Sequence, residues 1–563
     1  MSIQYLIGGS AKRDPNAIAI EYGDLKKSYK QLEEEISALA SVLANRVAKG
    51  DIVAVYMPTC PRLVVSMLAI MRVGGIFLPI DPNGHRKENV QKLDISSPVA
   101  TLTLPALEQV VFELTDSSSH KVDAGNINLI IISHVSKNKP SAGSKEQTWQ
   151  IGLPDDVGYL YFTSGSTGRP KGVLGRLNSL RAFIEWESKL VGVTSSDRVS
   201  LLSPQTFDPF LRDVFLPLVN GATLCIPTQQ LSVSDSHTLC DWLSTSEITI
   251  SHVVPLVFEL LLDTFLTKST SSTYAPHTLL FAGEPLTPAL IKKLRQHKPL
   301  SECRVINLYG TTESTLAKCA NVITQQDTAY SSFPVGKPMP GVEIVFRNDN
   351  GIISDRFREG EVCFVGDVFS HGYFIDKNQP IEPTSELMLV NETLQRVCPT
   401  GDLGHLDNTG LLVVKGRKDN QVKVNGKRLE LAEIEHALER VDLVSKAVVV
   451  ADPRAKETRL VAWVKLAFSD AECGSDTLID YLHGEIDSHK IPQQILFLDE
   501  FPLSAHGKID RKRLKMMIGE QSDVVKNKLA GNMLLPLTET ENWLVIFYQD
   551  LFKCVSVSCS DTF

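Results

Sequence analysis

Tyr161-Phe-Thr-Ser-Gly-Ser-Thr-Gly-Arg-Pro-Lys-Gly-Val173 gathers hydroxyls, glycines and positive charge into one loop. It follows Val157-Gly-Tyr-Leu-Tyr-Phe162, which reads as a buried strand. Glycine lets backbone N–H groups approach an anion closely, and turned loops of this kind form anion-binding concavities. The hydroxyls of Thr163, Ser164, Ser166 and Thr167 and the cations Arg169 and Lys171 complete a phosphate cradle. It is not a G-x-x-x-x-G-K-[ST] loop: Gly172 follows Lys171, so no hydroxyl stands beside the lysine to hold a metal. The bland alternative is a flexible surface loop between a strand and a helix. The segments around it decide against that.

The chain has 563 residues, more than one compact core holds, so roughly two to four domains are expected. A net charge of −9 argues against a nucleic-acid partner, because phosphate binding needs a basic face. The ten cysteines include no C-x-x-C pair, and Cys554 and Cys559 are the nearest two. That is neither a zinc site nor a disulfide framework, and it suits a reducing, cytoplasmic setting. No apolar run is long enough to span a bilayer, and residues 1–10 lack a secretory pattern.

In order, residues 17–22 read as a strand, 32–43 as a helix, 52–56 as a strand, 62–73 as a helix and 76–80 as a strand. This alternation predicts a mostly parallel sheet covered by helices, with ligands at the carboxyl ends of its strands. Residues 116–150 are a polar surface segment around one short strand at 127–132. A helix is expected at 179–190. Asp208, between Phe207 and Pro209 ahead of an apolar run, reads first as a helix N-cap. Strands follow at 222–227, 248–255 and 278–284. Another ends in Asn307-Leu-Tyr-Gly-Thr-Thr-Glu313, where aromatic, amide, hydroxyls and carboxylate would suit a nucleotide with bound metal. The alternative there is a capped turn with Glu313 in the first turn of a helix. Residues 336–402 read as short strands and turns, with Thr400-Gly-Asp402 between strands 360–365 and 410–414. The dense polar stretch 415–435 marks a boundary. After it come helix 431–440, strands 445–450 and 459–466, helix 476–489 and strand 494–498, a small α+β domain. Lys508 sits in a turn near its end. Residues 537–552 form an amphipathic helix with Trp543, Ile546, Phe547 and Leu551 on one face, too little chain for its own core.

Eight of these segments, in order over roughly residues 25–515, resemble the adenylate-forming family: acyl- and aryl-CoA synthetases, luciferases and the adenylation domains of nonribosomal peptide synthetases. The likeness is greatest to the last branch. It rests on Arg72-Val-Gly-Gly-Ile-Phe-Leu-Pro-Ile-Asp-Pro82, the loop 161–173, Phe207-Asp208, residues 307–313, Gly372-Tyr373, Thr400-Gly-Asp402, residues 416–435 and Ser504-Ala-His-Gly-Lys-Ile-Asp-Arg511. Residues 536–563 resemble the first helix of a carrier domain, without the serine that carries phosphopantetheine. The departures are Arg169 for the usual lysine, Pro399 for a basic residue and His371 for arginine.

The resemblance implies an α/β fold. A large domain, 1–416, would hold parallel sheets covered by helices plus a β-barrel-like part. A small mobile α+β domain, 417–518, would be followed by a linker, 519–535, and an incomplete carrier-like segment, 536–563. It implies activation of a carboxylate by ATP and Mg²⁺ as acyl-AMP, then transfer to a phosphopantetheine thiol on a carrier supplied elsewhere. Thr163, Ser164, Gly165, Ser166, Thr167, Gly168 and Lys171 would hold the β/γ-phosphates. Glu313 would hold Mg²⁺ and Thr312 the α-phosphate. Asn307 and Tyr309 would meet adenine, in a nucleotide site also including Gly283, Glu284, Gly310 and Thr311. Asp402, with Arg417 beside it, would bind the ribose. Lys508 would neutralise the reacting anions. Asp419 would be the hinge and Gly426 would border the thiol channel.

In the peptide-synthetase branch the position of Asp208 binds an amino group, so the expected substrate is an amino acid. Pro209, Arg212, His252, Leu280, Ala282, Leu308, Leu316 and Ala317 would line its pocket. Arg212 and His252 either meet a polar or acidic substrate side chain, or pair with local acids. Two other functions stay open: a CoA ligase of a small amino or carboxylic acid, and a degenerate adenylate-binding module. No membrane or nucleic-acid partner is expected.

Overall fold

Ile52–Tyr56 and Ile76–Ile80 are buried at every residue, as strands covered on both faces must be. In this computed structural model they are neighbours in a seven-stranded sheet. The structure describes residues 3–116, 129–131, 156–163, 170–228, 236–267, 274–324, 332–348, 351–353, 357–376, 379, 381–390, 392–418, 421–424, 427–452, 459–467, 474–502, 509–511 and 513–518.

The sheet runs Gly372–Phe374, Lys171–Arg176, Val157–Thr163, Ile76–Ile80, Ile52–Tyr56, Ala100–Thr103, Leu129–Ile131. A second sheet has nine strands, and its central run is parallel: Arg304–Gly310, Thr278–Phe281, Ile250–Val253, Arg198–Ser200, Thr223–Ile226, Ile18–Tyr22. Helices Pro61–Arg72, Leu177–Val191 and Pro209–Asn220 supply Leu63, Phe183 and Phe215 to one apolar core. That core also holds Val53 and Phe77 of the first sheet and Leu280 and Ile306 of the second. The part expected to be barrel-like is a six-stranded antiparallel sheet built on Gly360–Val365 and Thr393–Leu406. Phe346, Phe364 and Cys398 from it share a core with Tyr309 and Cys319 of the nine-stranded sheet. This packing carries Asp402 to the end of Arg304–Gly310.

The described residues of 1–437 with 481–491 form one compact unit, and those of 438–480 with 492–518 a second. The second contains the three-stranded sheet of Val444–Asp452, Arg459–Leu466 and Gln494–Phe497, with Trp463 wholly buried among Val448, Val450 and Leu514.

Two expectations need correction, those for Thr400-Gly-Asp402 and for helix 476–489, and two alternatives fall away. The glycine-rich loop does not lead from strand to helix. The strands on its two sides, Val157–Thr163 and Lys171–Arg176, pair antiparallel. Gly175 belongs in the second strand because a Cβ there would lie 1.7 Å from the Tyr159 ring. Thr400-Gly-Asp402 lies inside one long strand, Thr393–Leu406, not between strands. No helix follows Glu313: the chain turns and returns as Ala317–Ile323, paired antiparallel with Arg304–Gly310. The helix expected at 476–489 runs over Ser475–His483 and stops before Gly484. Ile3–Arg13 is a helix that the sequence reading did not anticipate. The linker and carrier-like segment, 519–563, lie outside the described residues.

Candidate active site

Three sheets converge on the turn after Arg304–Gly310. Tyr309 donates its hydroxyl to Asp402 Oδ2 at 2.6 Å. Arg417 Nη1 donates to Asp402 Oδ1 at 3.2 Å and to the Thr400 carbonyl at 2.7 Å. Gly401 has φ 75°, and a Cβ there would lie 2.6 Å from the Arg417 guanidinium, so glycine lets that group close in. Burial first, and Asp402 second, push the Tyr309 phenol well above its usual range, so it stays a donor.

Beside this network, Tyr373 donates to Glu313 Oε1 at 3.0 Å, and the Ser370 hydroxyl donates to the Glu313 carbonyl at 2.7 Å. Gly372–Phe374 pairs with Lys171–Arg176, which brings Tyr373 there and sets Lys171 Nζ 5.4 Å from its ring centroid. Thr163 pairs with Lys171 and donates its hydroxyl to the Lys171 carbonyl at 3.4 Å. Ser164, Gly165, Ser166, Thr167 and Gly168 lie outside the described residues, as do Asp419, Gly426 and Lys508.

Asp208 starts helix Pro209–Asn220, but its backbone is helical (φ −58°, ψ −27°) and its side chain caps no N–H. Instead, Asp208 Oδ1 accepts from Thr312 Oγ1 at 3.1 Å. The residue is 8% exposed. Burial pushes its carboxyl up to about 6; Thr312 pulls down, Glu313 pushes up, and Arg212 and the Leu316 N–H pull down. Thr163, Asp208 and Thr312 line one cavity of about 270 Å³, with Phe207 and Lys427 also on its wall.

Arg212 and His252 are both given local acids. Arg212 Nε lies 3.4 Å from Asp213 Oδ1. His252 Nε2 lies 3.3 Å from Glu187 Oε1, and its Nδ1 is 3.1 Å from Asp213 Oδ1, out of line for a hydrogen bond. Burial and Arg212 lower the His252 pKa, but Glu187 and Asp213 outweigh them and it ends raised. Burial raises Asp213, yet His252, Arg212 and Ser203 leave it lowered. Arg212 and His252 thus face Asp213 and Glu187 in a dry cluster.

Leu280, Leu308, Leu316 and Ala317 belong to the main apolar core, with Ala282 against it. Asn307 donates its amide to the Pro334 carbonyl at 3.2 Å. Gly283 (φ 94°) and Glu284 follow strand Thr278–Phe281; Gly310 and Thr311 open the turn. Sequence reading missed Glu187, Asp213 and Lys318. Glu187 was findable: on its helix it shares a face with Phe183, Ile184 and Val191, all buried.

Residues 9–374 match the family described as AMP-binding enzyme, and residues 433–508 match the AMP-binding enzyme C-terminal domain. The chain belongs to the AMP-binding enzyme family. As a member it is an adenylate-forming ligase. Tyrocidine synthase 1 of Brevibacillus parabrevis is 28% identical over 568 residues, covering 100% of this chain and 49% of the relative, so the chain spans about half that protein's length. A structure of PA1221, described as a nonribosomal peptide synthetase protein with adenylation and PCP domains, matches with a TM-score of 0.76 at 21% identity, covering 99% of this chain and 88% of that one. One of o-succinylbenzoate CoA synthetase (MenE) from Bacillus subtilis matches at 0.72 and 22%, covering 91% and 98%. At these identities the structures show a shared fold.

This AMP-binding enzyme offers no group of three or more His, Cys, Asp or Glu that could cage a metal among its described residues. Mg²⁺ usually keeps waters and is held by one or two carboxylates plus substrate phosphates, and Glu313 offers one buried carboxylate at the turn. No helix among the described residues is long and apolar enough to cross a membrane.

Proposed function

We propose that this enzyme activates an amino acid as aminoacyl-AMP and passes it to a phosphopantetheine thiol on a carrier. The observation that carries the reading is Asp208: buried, doing no capping, and hydrogen-bonded to Thr312 in the cavity that Thr163 also lines. A dry carboxylate pushed up to about 6 lacks a cation, and a substrate ammonium is one. With that ammonium on Asp208, the substrate carboxylate lies toward Thr312 and the phosphates. Its attack on the α-phosphorus forms the acyl–phosphate bond and expels pyrophosphate. Two anions approach, so the barrier is electrostatic, and each well-placed donor is worth about 10²–10³ in rate. Glu313 would hold Mg²⁺, which neutralises phosphate charge when bound. Asp402, oriented by Tyr309 and Arg417, would accept from the ribose hydroxyls. Residues 417–518, turning at Asp419, would deliver Lys508 for adenylation and then the face near Gly426 for thiol transfer.

The balance of Arg212 and His252 against Asp213 and Glu187 favours a substrate side chain without charge. ATP–pyrophosphate exchange over a panel of amino acids tests the reading: neutral amino acids should support exchange. Lys508→Ala should lose far more adenylation than thioester formation from preformed adenylate, and equal losses would remove its assigned role. A CoA ligase remains the second reading, favoured by the fold shared with o-succinylbenzoate CoA synthetase. Release of free acyl-CoA would support it.

A further inference from the structure

Thr315 and Leu316 both have left-handed backbone, with φ 65° and 59°. That conformation is uncommon outside glycine and a genuine outlier for a β-branched residue. Two in succession persist only where the surroundings over-determine them. The turn packs tightly on the strand before it: a Cβ at Gly310 would lie 2.1 Å from Leu316 O. The Thr315 hydroxyl gives no compensation: it is buried near the Tyr159 phenol but aligned with no hydrogen-bond partner among the described residues.

Lys318, two residues after Leu316, is wholly buried, 0% exposed. Its Nζ donates to the Thr315 carbonyl at 2.6 Å and lies 5.9 Å from the Phe183 ring centroid. Among the described residues it forms no ion pair with a carboxylate. Burial drags its amine down to about 7. A methionine would fill the same space without that penalty. The hydrogen bond to Thr315 is therefore what the amine provides.

We propose that Lys318 is a positioning residue whose amine ties the strained turn at residues 311–316, and so holds Thr312 and Leu316 against Asp208. The turn presents Thr312 Oγ1 to Asp208 Oδ1, sets the Leu316 backbone beside the same carboxylate, and carries Glu313. The Lys318 amine hydrogen-bonds to the Thr315 carbonyl and meets Asp208 only through its longer-range charge, so it acts through the backbone of Thr315. The kinetic part of the test rests on the proposed amino-acid activation, and the structural part does not.

The test compares wild type, Lys318→Met, Thr315→Gly and the double variant in the full chain. Hydrogen–deuterium exchange is read on peptides covering residues 311–317, together with Tm and ATP–pyrophosphate exchange. Loss of a charged hydrogen bond predicts amide exchange in 311–317 about tenfold faster in Lys318→Met, and KM for the amino acid raised about tenfold with a smaller change in kcat. Glycine accepts the left-handed backbone without strain, so Thr315→Gly should behave as wild type and the double variant should regain most of both losses. Unchanged protection of 311–317 in Lys318→Met would overturn the proposal, as would a double variant no better than Lys318→Met. If Lys318→Met does not fold, the double variant must, and a double that also fails overturns it. If wild type exchanges with no amino acid, the functional reading fails, and the tether is decided by hydrogen exchange and Tm alone.

Discussion

Two buried aspartates flank the same strand end and are built in opposite ways. Asp402, 4% exposed, receives the Tyr309 hydroxyl and the Arg417 guanidinium, while its own N–H rests on Thr400 Oγ1. Asp208, 8% exposed, receives one hydroxyl from Thr312, has the Leu316 N–H nearby, and is pushed up to about 6 by burial. The first is a finished hydrogen-bonded corner that a ligand would join. The second is a carboxylate in want of a positive charge. Completeness suits a group that must be rigid for any substrate, and incompleteness suits one that selects by charge.

Removing each side chain should separate the two. Asp402→Ala removes the acceptor that Tyr309 and Arg417 share and leaves Arg417 its Thr400 carbonyl, and breaking such a pair should destabilise the larger unit by about 3 kcal/mol, the low end for a buried pair because Arg417 keeps some exposure. Urea denaturation reads this, and an unshifted midpoint would break the contrast. Asp208→Ala should lower kcat/KM for the amino acid about 10–100-fold, the worth of one charged hydrogen bond. Its Tm should not fall, because an uncompensated buried charge has been removed.

The pH dependence sharpens the contrast. The Asp208 carboxyl has its folded pKa raised from 3.8 to about 6. Between these values the native state binds more protons than the unfolded one, so this group's contribution to stability falls as pH rises, and its penalty is complete above about 6. The Tm advantage of Asp208→Asn over wild type should therefore be absent near pH 3.8 and full above pH 6. KM for the amino acid should rise as pH drops through about 6, where the carboxylate protonates. The smallest effect is expected from Glu187→Gln, which leaves the His252 cluster one negative charge short. Exchange with acidic amino acids should improve relative to neutral ones, and no change in that ratio would detach the cluster from substrate choice.

Much of this was legible in the sequence. Buried runs such as 52–56 and 76–80 announced the parallel sheet, because a strand covered on both faces has no polar alternation to misread. Asp208 stood out because an acid between Phe207 and Pro209 has few uses beyond cap or ligand. Strand Lys171–Arg176 was not legible: its glycines suggest a loop, and only the Tyr159 ring explains Gly175. Helix Ile3–Arg13 was hidden by Gly8 and Gly9, neither of which touches a neighbour closely. Asp213 was invisible because a lone charged residue in an apolar segment takes its meaning from partners far along the chain, here His252, and Lys318 because its partner is a backbone carbonyl that only the turn at Thr315 presents. His252 lies across two other strands from Lys318's strand, and Phe183 lies on a separate helix.

The most direct test of the central claim is ATP–pyrophosphate exchange by wild type and Asp208→Ala with paired acids that differ only in the α-amino group. The account predicts exchange with the amino acid, little with its deaminated counterpart, and loss of that preference in Asp208→Ala. Equal exchange with both acids, unchanged by the substitution, would contradict it.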